Sequence, residues 1–424
     1  VTVSRNTLPR AALAAAVHAA CAAWVPTVAA LDLSWQPQLR VGTRATDNVV
    51  WSSRNQEAAL GFDNGGGAIL KAESQDWRST VTPSFNFRRF AIGEDLDADE
   101  YGARSQHQWF ATDRLQFGAN LDYVRDSTLA TELADAGTRN QISNRETITA
   151  QPSVTFLLDE DISVNAGFLY QDVSFDNSGN GQLVDFSFQQ TTLGATHFWR
   201  DDIRFFASVF ASEFETPDTN SKTRTYGGQG GVGYSWDENL TIDLAMGYVA
   251  SDIEFQTSFL ALDLGPPPQI VLVTQQEEVS TSGPIASASI QRNFENLRAR
   301  LDYVRRVTPS IRGSQQLEDD IMVSMDRDLN REWRVGFRGG YNMRSAEDED
   351  VAVGLNRFRV DDLNRDQSTV AGNVSYRFTS EISVRAEYRF SYNTFTNEFQ
   401  DSVYNHSFFV TLSYDGEPRF LRGL

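Results

Sequence analysis

The sequence predicts an all-β fold, a transmembrane antiparallel β-barrel of about 18 strands, with 16 as the main alternative. Three observations carry it. Apolar and polar residues alternate with period 2 through most of the chain, connections alternate between short and long, and aromatic residues gather at strand ends. The composition agrees. Of 424 residues, 40% are hydrophobic and 12% aromatic. That is lean for a large dry core, yet too aromatic for a chain that stays unfolded. In a barrel only every second residue meets lipid, so a thin and even hydrophobicity suffices. With 57 acidic and 37 basic side chains the net charge is −20, which argues against a nucleic-acid partner. One cysteine excludes a disulfide scaffold, and no apolar run after the first 30 residues is long enough for a membrane helix.

In chain order, residues 1–30 read as a secretory signal peptide. Arg5 and Arg10 precede the apolar run from Ala11 to Val17, which continues past Cys21 and Trp24 to the small-residue site Val28-Ala29-Ala30. Cleavage after Ala30 would leave a chain without cysteine, with a net charge of −22 and a barrel over 31–414. A short tail, 415–424, would follow it.

The strands show in the alternation. In Leu115-Gln116-Phe117-Gly118-Ala119-Asn120-Leu121-Asp122-Tyr123 the odd positions are apolar. The same rhythm runs through 162–168, 240–248 and 382–392. Eight short polar connections separate strands: 74–76, 112–113, 159–161, 200–202, 237–239, 293–296, 328–330 and 379–381. Nine longer ones fall at about 46–58, 92–99, 126–144, 176–182, 216–222, 256–280, 308–315, 346–364 and 394–402. Together they join 18 strands, and closure pairs every backbone group, as lipid demands. Trp77, Trp109, Trp199, Trp236 and Trp333 stand beside the short turns, where a periplasmic aromatic girdle belongs. Tyr123, Tyr170, Tyr248, Tyr303, Tyr341 and Tyr392 mark the opposite strand ends.

The segment Trp35-Gln36-Pro37-Gln38-Leu39-Arg40-Val41-Gly42, followed by Thr46-Asp47-Asn48-Val49, resembles the first strand of the second β-barrel porin family. The proline-bearing strands at 81–85 and 150–154 and the loop from Asp126 to Glu146 resemble the same group. The resemblance implies a Gram-negative outer-membrane protein associated with exopolysaccharide production, and it transfers no catalytic residue. Ten residues follow the aromatic-rich strand Phe408–Tyr414, a departure from barrels that stop at such a strand.

Other chemistry is poorly served. A membrane-embedded lipase needs a serine two residues after a histidine on one strand face. Here Trp109, Trp199 and Phe408 follow His107, His197 and His406 at that spacing. Neither an enzyme nor a cofactor is expected. Zinc is improbable with dispersed histidines. Gly228, Gly230 and Gly233 form a G-x-G-x-x-G inside a strand pattern with no helix after it, so barrel curvature or lumen packing explains them better than a dinucleotide. Asp95-Leu96-Asp97-Ala98-Asp99-Glu100 has calcium-loop spacing but lacks the sixth-position glycine, and reads as a solvated acidic loop.

The lumen face is the informative one. If Leu297, Ala299, Leu301 and Tyr303 face lipid, Arg298, Arg300 and Asp302 face inward. By the same parity Arg334, Arg338, Arg377, Arg385, Glu387 and Arg389 line the inside, an arginine-rich wall with few matching acids. Arg78, Arg88, Arg104, Arg114 and Arg204 add to this lining from the other side. Such arginines either brace the barrel or form a ladder for an anion, since guanidinium is always charged and matches carboxylate or phosphate. The sequence thus predicts a porin-like channel passing an anionic solute, an acidic exopolysaccharide or a small anion. A non-conducting barrel that anchors surface polymer or a secretion complex is the alternative, and an outer-membrane hydrolase a distant third. Expected partners are membrane lipid, lipopolysaccharide and periplasmic export proteins. The long loops hold 22 acidic and 6 basic residues, which sets the acid at the rim, where divalent cations can bridge it to lipopolysaccharide. The apolar 256–280 segment is expected to be a loop that constricts the lumen or leans on a partner.

Overall fold

The structure, a computed structural model, describes residues 32–49, 51, 56–91, 96–128, 143–176, 183–217, 221–263, 269–309, 315–345, 365–395 and 402–420. The expected signal peptide lies outside these residues.

The chain runs through β1 (Asp32–Thr46), β2 (Ala59–Glu73), β3 (Trp77–Phe90), β4 (Ala98–Thr112), β5 (Leu115–Ser127) and β6 (Asn144–Leu157). It continues with β7 (Ile162–Phe175), β8 (Phe186–Arg200), β9 (Ile203–Thr216), β10 (Ser221–Asp237), β11 (Leu240–Asp263) and β12 (Gln269–Asn293). The last third holds β13 (Leu297–Pro309), β14 (Gln315–Asp328), β15 (Trp333–Ser345), β16 (Arg365–Arg377), β17 (Ile382–Phe395) and β18 (Val403–Asp415). Each strand pairs antiparallel with its sequence neighbours, and β1 pairs with β18 from Gln38↔Asp415 to Thr46↔Ser407, closing an 18-strand ring. The two-residue β19 (Arg419–Phe420) then folds back onto Ser34 and Trp35 of β1.

The short turns are built by a repeated device. A side-chain oxygen accepts the backbone amides two and three residues ahead: Thr112 from Arg114 and Leu115, Asp159 from Asp161 and Ile162, Asp237 from Asn239 and Leu240. Asn330 and Thr379 do the same. Their short polar side chains satisfy amides that a tight reversal would otherwise leave open.

Directly paired residues share a face, so the registers sort the whole wall into two sides. One side carries the exposed large apolar residues, among them Leu39, Phe85, Leu193, Val209, Leu244, Met246, Leu301, Ile321 and Leu412. On β10 it runs from Tyr226 to Trp236. At about 3.3 Å per residue and a tilt of about 40°, that stretch is roughly 25 Å tall, the height of a bilayer's apolar band. No helix among the described residues is long and apolar enough to cross a membrane; the strands cross it. The even-numbered, up-and-down barrel with an apolar outside and a polar inside is a transmembrane barrel of the bacterial outer membrane.

Two features go beyond a minimal membrane-spanning ring of about ten-residue strands. Most strands span 13 to 17 residues, longer than lipid requires. Their extra length lies at the long-loop end, where the outer face turns charged: Lys222 meets Glu213 and Glu215 at 2.8 and 2.7 Å. The 256–280 segment, expected as a loop, instead continues the β11–β12 ladder through Asp263↔Gln269. β10 follows β11 only as far as Glu254, and β12 meets β13 only from Ala286, so a two-stranded ribbon extends past the ring. Its β-branched residues can continue a ladder, which the apolar content alone did not distinguish from a collapsed loop.

Candidate functional site: the lumen wall

Strand parity places Arg298, Arg300, Arg334, Arg338, Arg377, Arg385 and Arg389 on the lumen face. One hydrogen-bonded row runs Arg300–Ser324–Arg338–Ala371–Arg389–Ser407 across β13 to β18. Arginines on alternate strands are thus separated by small residues. At about 4.8 Å between strands, they stand roughly 10 Å apart. Arg40 of β1 faces the lumen opposite Ser413. It was missed because the first strand was read for its family likeness instead of its parity.

The expected shortage of acids is corrected. Arg300 pairs with Asp302 at 2.6 Å, Arg334 with Asp328 at 2.6 Å, and Glu387 takes both Arg385 and Arg389 at 2.7 Å. The β14 acids Asp326 and Asp328 fall on the same parity as Arg298 and Arg334, so the signal was present in the polar face of that strand. Arg40, Arg78, Arg298, Arg338 and Arg377 pair with no carboxylate among the described residues. Arg78 lies over the Phe110 ring at 5.4 Å, and all five are exposed. Arg114, expected on the wall, sits in the β4–β5 turn.

Toward the long-loop end the charges are buried and neutralised. Arg88, 6% exposed, binds Asp63 at 2.9 Å and Glu100 at 3.1 Å, while Arg44 reaches Asp63 at 3.5 Å. Arg44 and Arg389 flank the Phe409 ring at 4.8 and 5.4 Å. Glu318, 4% exposed, accepts from Arg306, Asn342 and Arg344. The segment after β1 turns inward here. Asn405 donates to Thr46 Oγ1 at 2.7 Å and to the Asn48 carbonyl at 2.6 Å, and Asn48 donates to the Tyr404 carbonyl. Val49, Ala59, Phe90 and Leu96 form an apolar cluster beside it.

The wall from β7 to β12 is of another kind. Its only lumen-facing strand charges among the described residues are Arg204 and Asp243, which pair with each other at 2.7 Å. Phe206 and Phe210 face inward, and Phe186, Phe188 and Phe214 pack with Val173, Phe175 and Leu183 nearer the long-loop end. The glycine-rich strand β10 explains how these rings lie flat. A Cβ on Gly227 would strike the Phe210 ring, one on Gly231 the Phe206 ring, and one on Gly233 the Arg204–Asp243 pair. Gly228 and Gly230 stand on the outer face, so of the three glycines in the formal motif only Gly233 serves lumen packing.

Trp77, Trp109, Trp199, Trp236 and Trp333 occupy the outer face at the short-turn end. Trp109 stacks on Phe117 at 5.3 Å and Trp333 tilts against Tyr376 at 4.7 Å. The ladders of β8 and β10 skip Trp199 and Trp236. An unpaired bulge residue is freed from the pleat, and these two rings are the most exposed of the five, at 63% and 69%. His107 hydrogen-bonds Ser79 across strands at 2.9 Å but is buried beside Trp77, 5.8 Å ring to ring. That leaves no room for a lipid ester. Among the described residues no group of three or more His, Cys, Asp or Glu is placed to hold a metal; Asp97 and Asp99 of the acidic run both engage Arg89.

No family model matches the sequence and no curated protein matches it, so the family resemblance stands on its strand motifs. Solved barrels are similar in outline. Pseudomonas aeruginosa OprD covers 92% of this chain and 96% of its own at 9% identity and a TM-score of 0.45. OpdL of the same organism covers 92% and 99% at 10% identity and 0.44. The Escherichia coli ferric-catecholate import receptor Fiu covers 89% and 81% at 9% identity and 0.47. These are likenesses of outline at low identity, and what the chain does has to be read from its own lumen wall.

Proposed function

We propose that the chain is a porin-like channel that passes an acidic solute, with a segment of acidic polysaccharide as the preferred cargo. The observation that carries this is the arginine-rich lumen face of β13 to β17, on which Arg298, Arg338 and Arg377 make no ion pair among the described residues. An 18-strand ring is roughly 35 Å across its backbone, wide enough to hold a water-filled path. Within it the unpaired guanidiniums raise the local concentration of anions and offer planar forks to carboxylates. The preference for a polymer draws on the family resemblance, which implies exopolysaccharide export.

The test is single-channel recording in planar bilayers. Anion preference in a salt gradient supports the reading, and cation preference or a lack of any current at high voltage refutes it. The inward-turned segment at Asn48 and the apolar clusters at the long-loop mouth favour a second reading, a closed barrel that anchors surface polymer. Lack of current would be its signature. Deleting the gene should trap polymer in the periplasm if the cargo is exopolysaccharide; unchanged surface polymer would count against export.

A further inference from the structure

The unpaired lumen arginines are unevenly placed. Arg78, Arg298 and Arg377 lie near the short-turn end, Arg40 and Arg338 deeper in. At the long-loop end Arg44, Arg88, Arg306 and Arg344 are held by Asp63, Glu100 and Glu318. Positive charge available to a ligand therefore declines from the short turns to the long loops.

At the short-turn rim this charge meets a cavity. A cleft of about 430 Å³ opens between the β12–β13 and β14–β15 turns and the end of β16, lined by Asn296, Asp328, Arg331, Glu332, Arg334 and Arg377, with Leu329, Asn330 and Trp333. Asp328 is bound to Arg334 and also feels Arg298 and Arg377. Asp328 thus stands among three guanidiniums, and the cleft's second carboxylate, Glu332, is engaged by the Tyr376 hydroxyl. The cleft is of small-molecule size, and Arg331 on the turn itself adds a further exposed cation. The Arg377 amide donates to the Glu332 carbonyl at 2.9 Å, which ties the β16 end to the turn and fixes the cleft's shape.

We propose that this rim cleft is a docking site for a carboxylate-bearing sugar segment, so that an acidic chain is engaged from the short-turn side and handed to Arg298 and then to the Arg300–Arg338–Arg389 row. The inference rests on the channel reading above and adds a site and a direction to it. Short turns face the periplasm in outer-membrane barrels, so the direction is outward.

The test uses the full barrel in planar bilayers, its orientation fixed by a label on Asp201→Cys in the β8–β9 turn, in a Cys21→Ser background. Oligogalacturonate is added to one side at a time, with a neutral oligosaccharide of equal length as comparator. Oligogalacturonate should interrupt the current from the short-turn side at about five- to ten-fold lower concentration than from the long-loop side. That ratio is what two solvent-screened guanidinium–carboxylate contacts supply. Arg331→Gln combined with Arg377→Gln should abolish the difference between sides. An anion-preferring current interrupted equally from both sides overturns the docking site and leaves the channel reading standing, as does sidedness that survives the double substitution. Cation preference or lack of current overturns both.

Discussion

Replacing Arg298, Arg338 and Arg377 with glutamate should move ion selectivity by an amount the structure allows to be worked out. Each guanidinium is exposed to the lumen and makes no ion pair among the described residues, so reversal changes the wall by two unit charges, and Asp326 opposite Arg298 and the nearby Asp328 lose only a screened attraction. For an ion passing about 10 Å away in water, one unit charge contributes ~0.4 kcal/mol, and screening at 0.1 M salt reduces that to ~0.15 kcal/mol. A reversal is then worth about 0.3 kcal/mol for each ion. It acts with opposite sign on anion and cation, giving about 0.6 kcal/mol in their difference, or close to three-fold in permeability ratio. Three independent sites give about twenty-fold. The reversal potential in a potassium chloride gradient reads this directly, and the shift should fade at 1 M, where the screening length falls to about 3 Å. Heat-modifiable mobility in gels would confirm that the variant is folded. A folded triple variant with an unchanged reversal potential at 0.1 M would refute the lumen reading.

Arg88→Gln should act on stability and not on selectivity. It leaves Asp63 and Glu100 without their shared partner in a partly buried site, which costs about 2–4 kcal/mol; chemical unfolding in vesicles measures it, and adding Asp63→Asn should recover part of the loss. Leu244→Arg puts a charge on the outer face midway along the lipid-facing stretch of β11 and should cost about 2–4 kcal/mol, whereas Gln229→Arg on the lumen face should stay within about 0.5 kcal/mol. Equal costs for those two substitutions would reverse the assignment of faces. Gly231→Val must push the Phe206 ring off β10 into the lumen and shift the Leu244 carbonyl of β11 as well, at about 1–3 kcal/mol or more and with lower conductance. Gly283→Ala, where an added Cβ meets nothing within 4 Å, should change neither.

The strands were legible because period 2 is the constraint a membrane imposes: one residue in two must suit lipid. The short turns were legible for a related reason, since Asp, Asn and Thr at their starts close the reversal with their own side chains. What parity cannot supply is register. It put Arg300, Arg334 and Arg385 inside but did not say that Asp302, Asp328 and Glu387 would lie within bonding distance. It also passed over the phenylalanine wall, because Phe206 and Phe210 read as lipid-facing types until β10 supplied glycines for them to lie against. The β11–β12 ribbon escaped for a different reason. Beyond the bilayer no lipid enforces alternation, so a ladder there leaves no periodic trace.

The seam between β1 and β18 also bears on how the barrel is made. Gln38 hydrogen-bonds Asp415 across a sequence separation of 377 residues, whereas every other strand pair but the two-residue β19 on β1 joins chain neighbours. All hairpins can form as soon as their own residues exist, but the ring cannot shut until its last strand arrives. Until then β1 presents a free edge of unpaired amides and carbonyls, which invites pairing with other chains. Contacts of such long range are slow to form because the closure entropy is lost before any bond repays it. Assembly should therefore be limited by this single late event, and substitutions along the seam, such as Val41 or Leu412 to proline, should slow closure far more than equivalent changes within a hairpin.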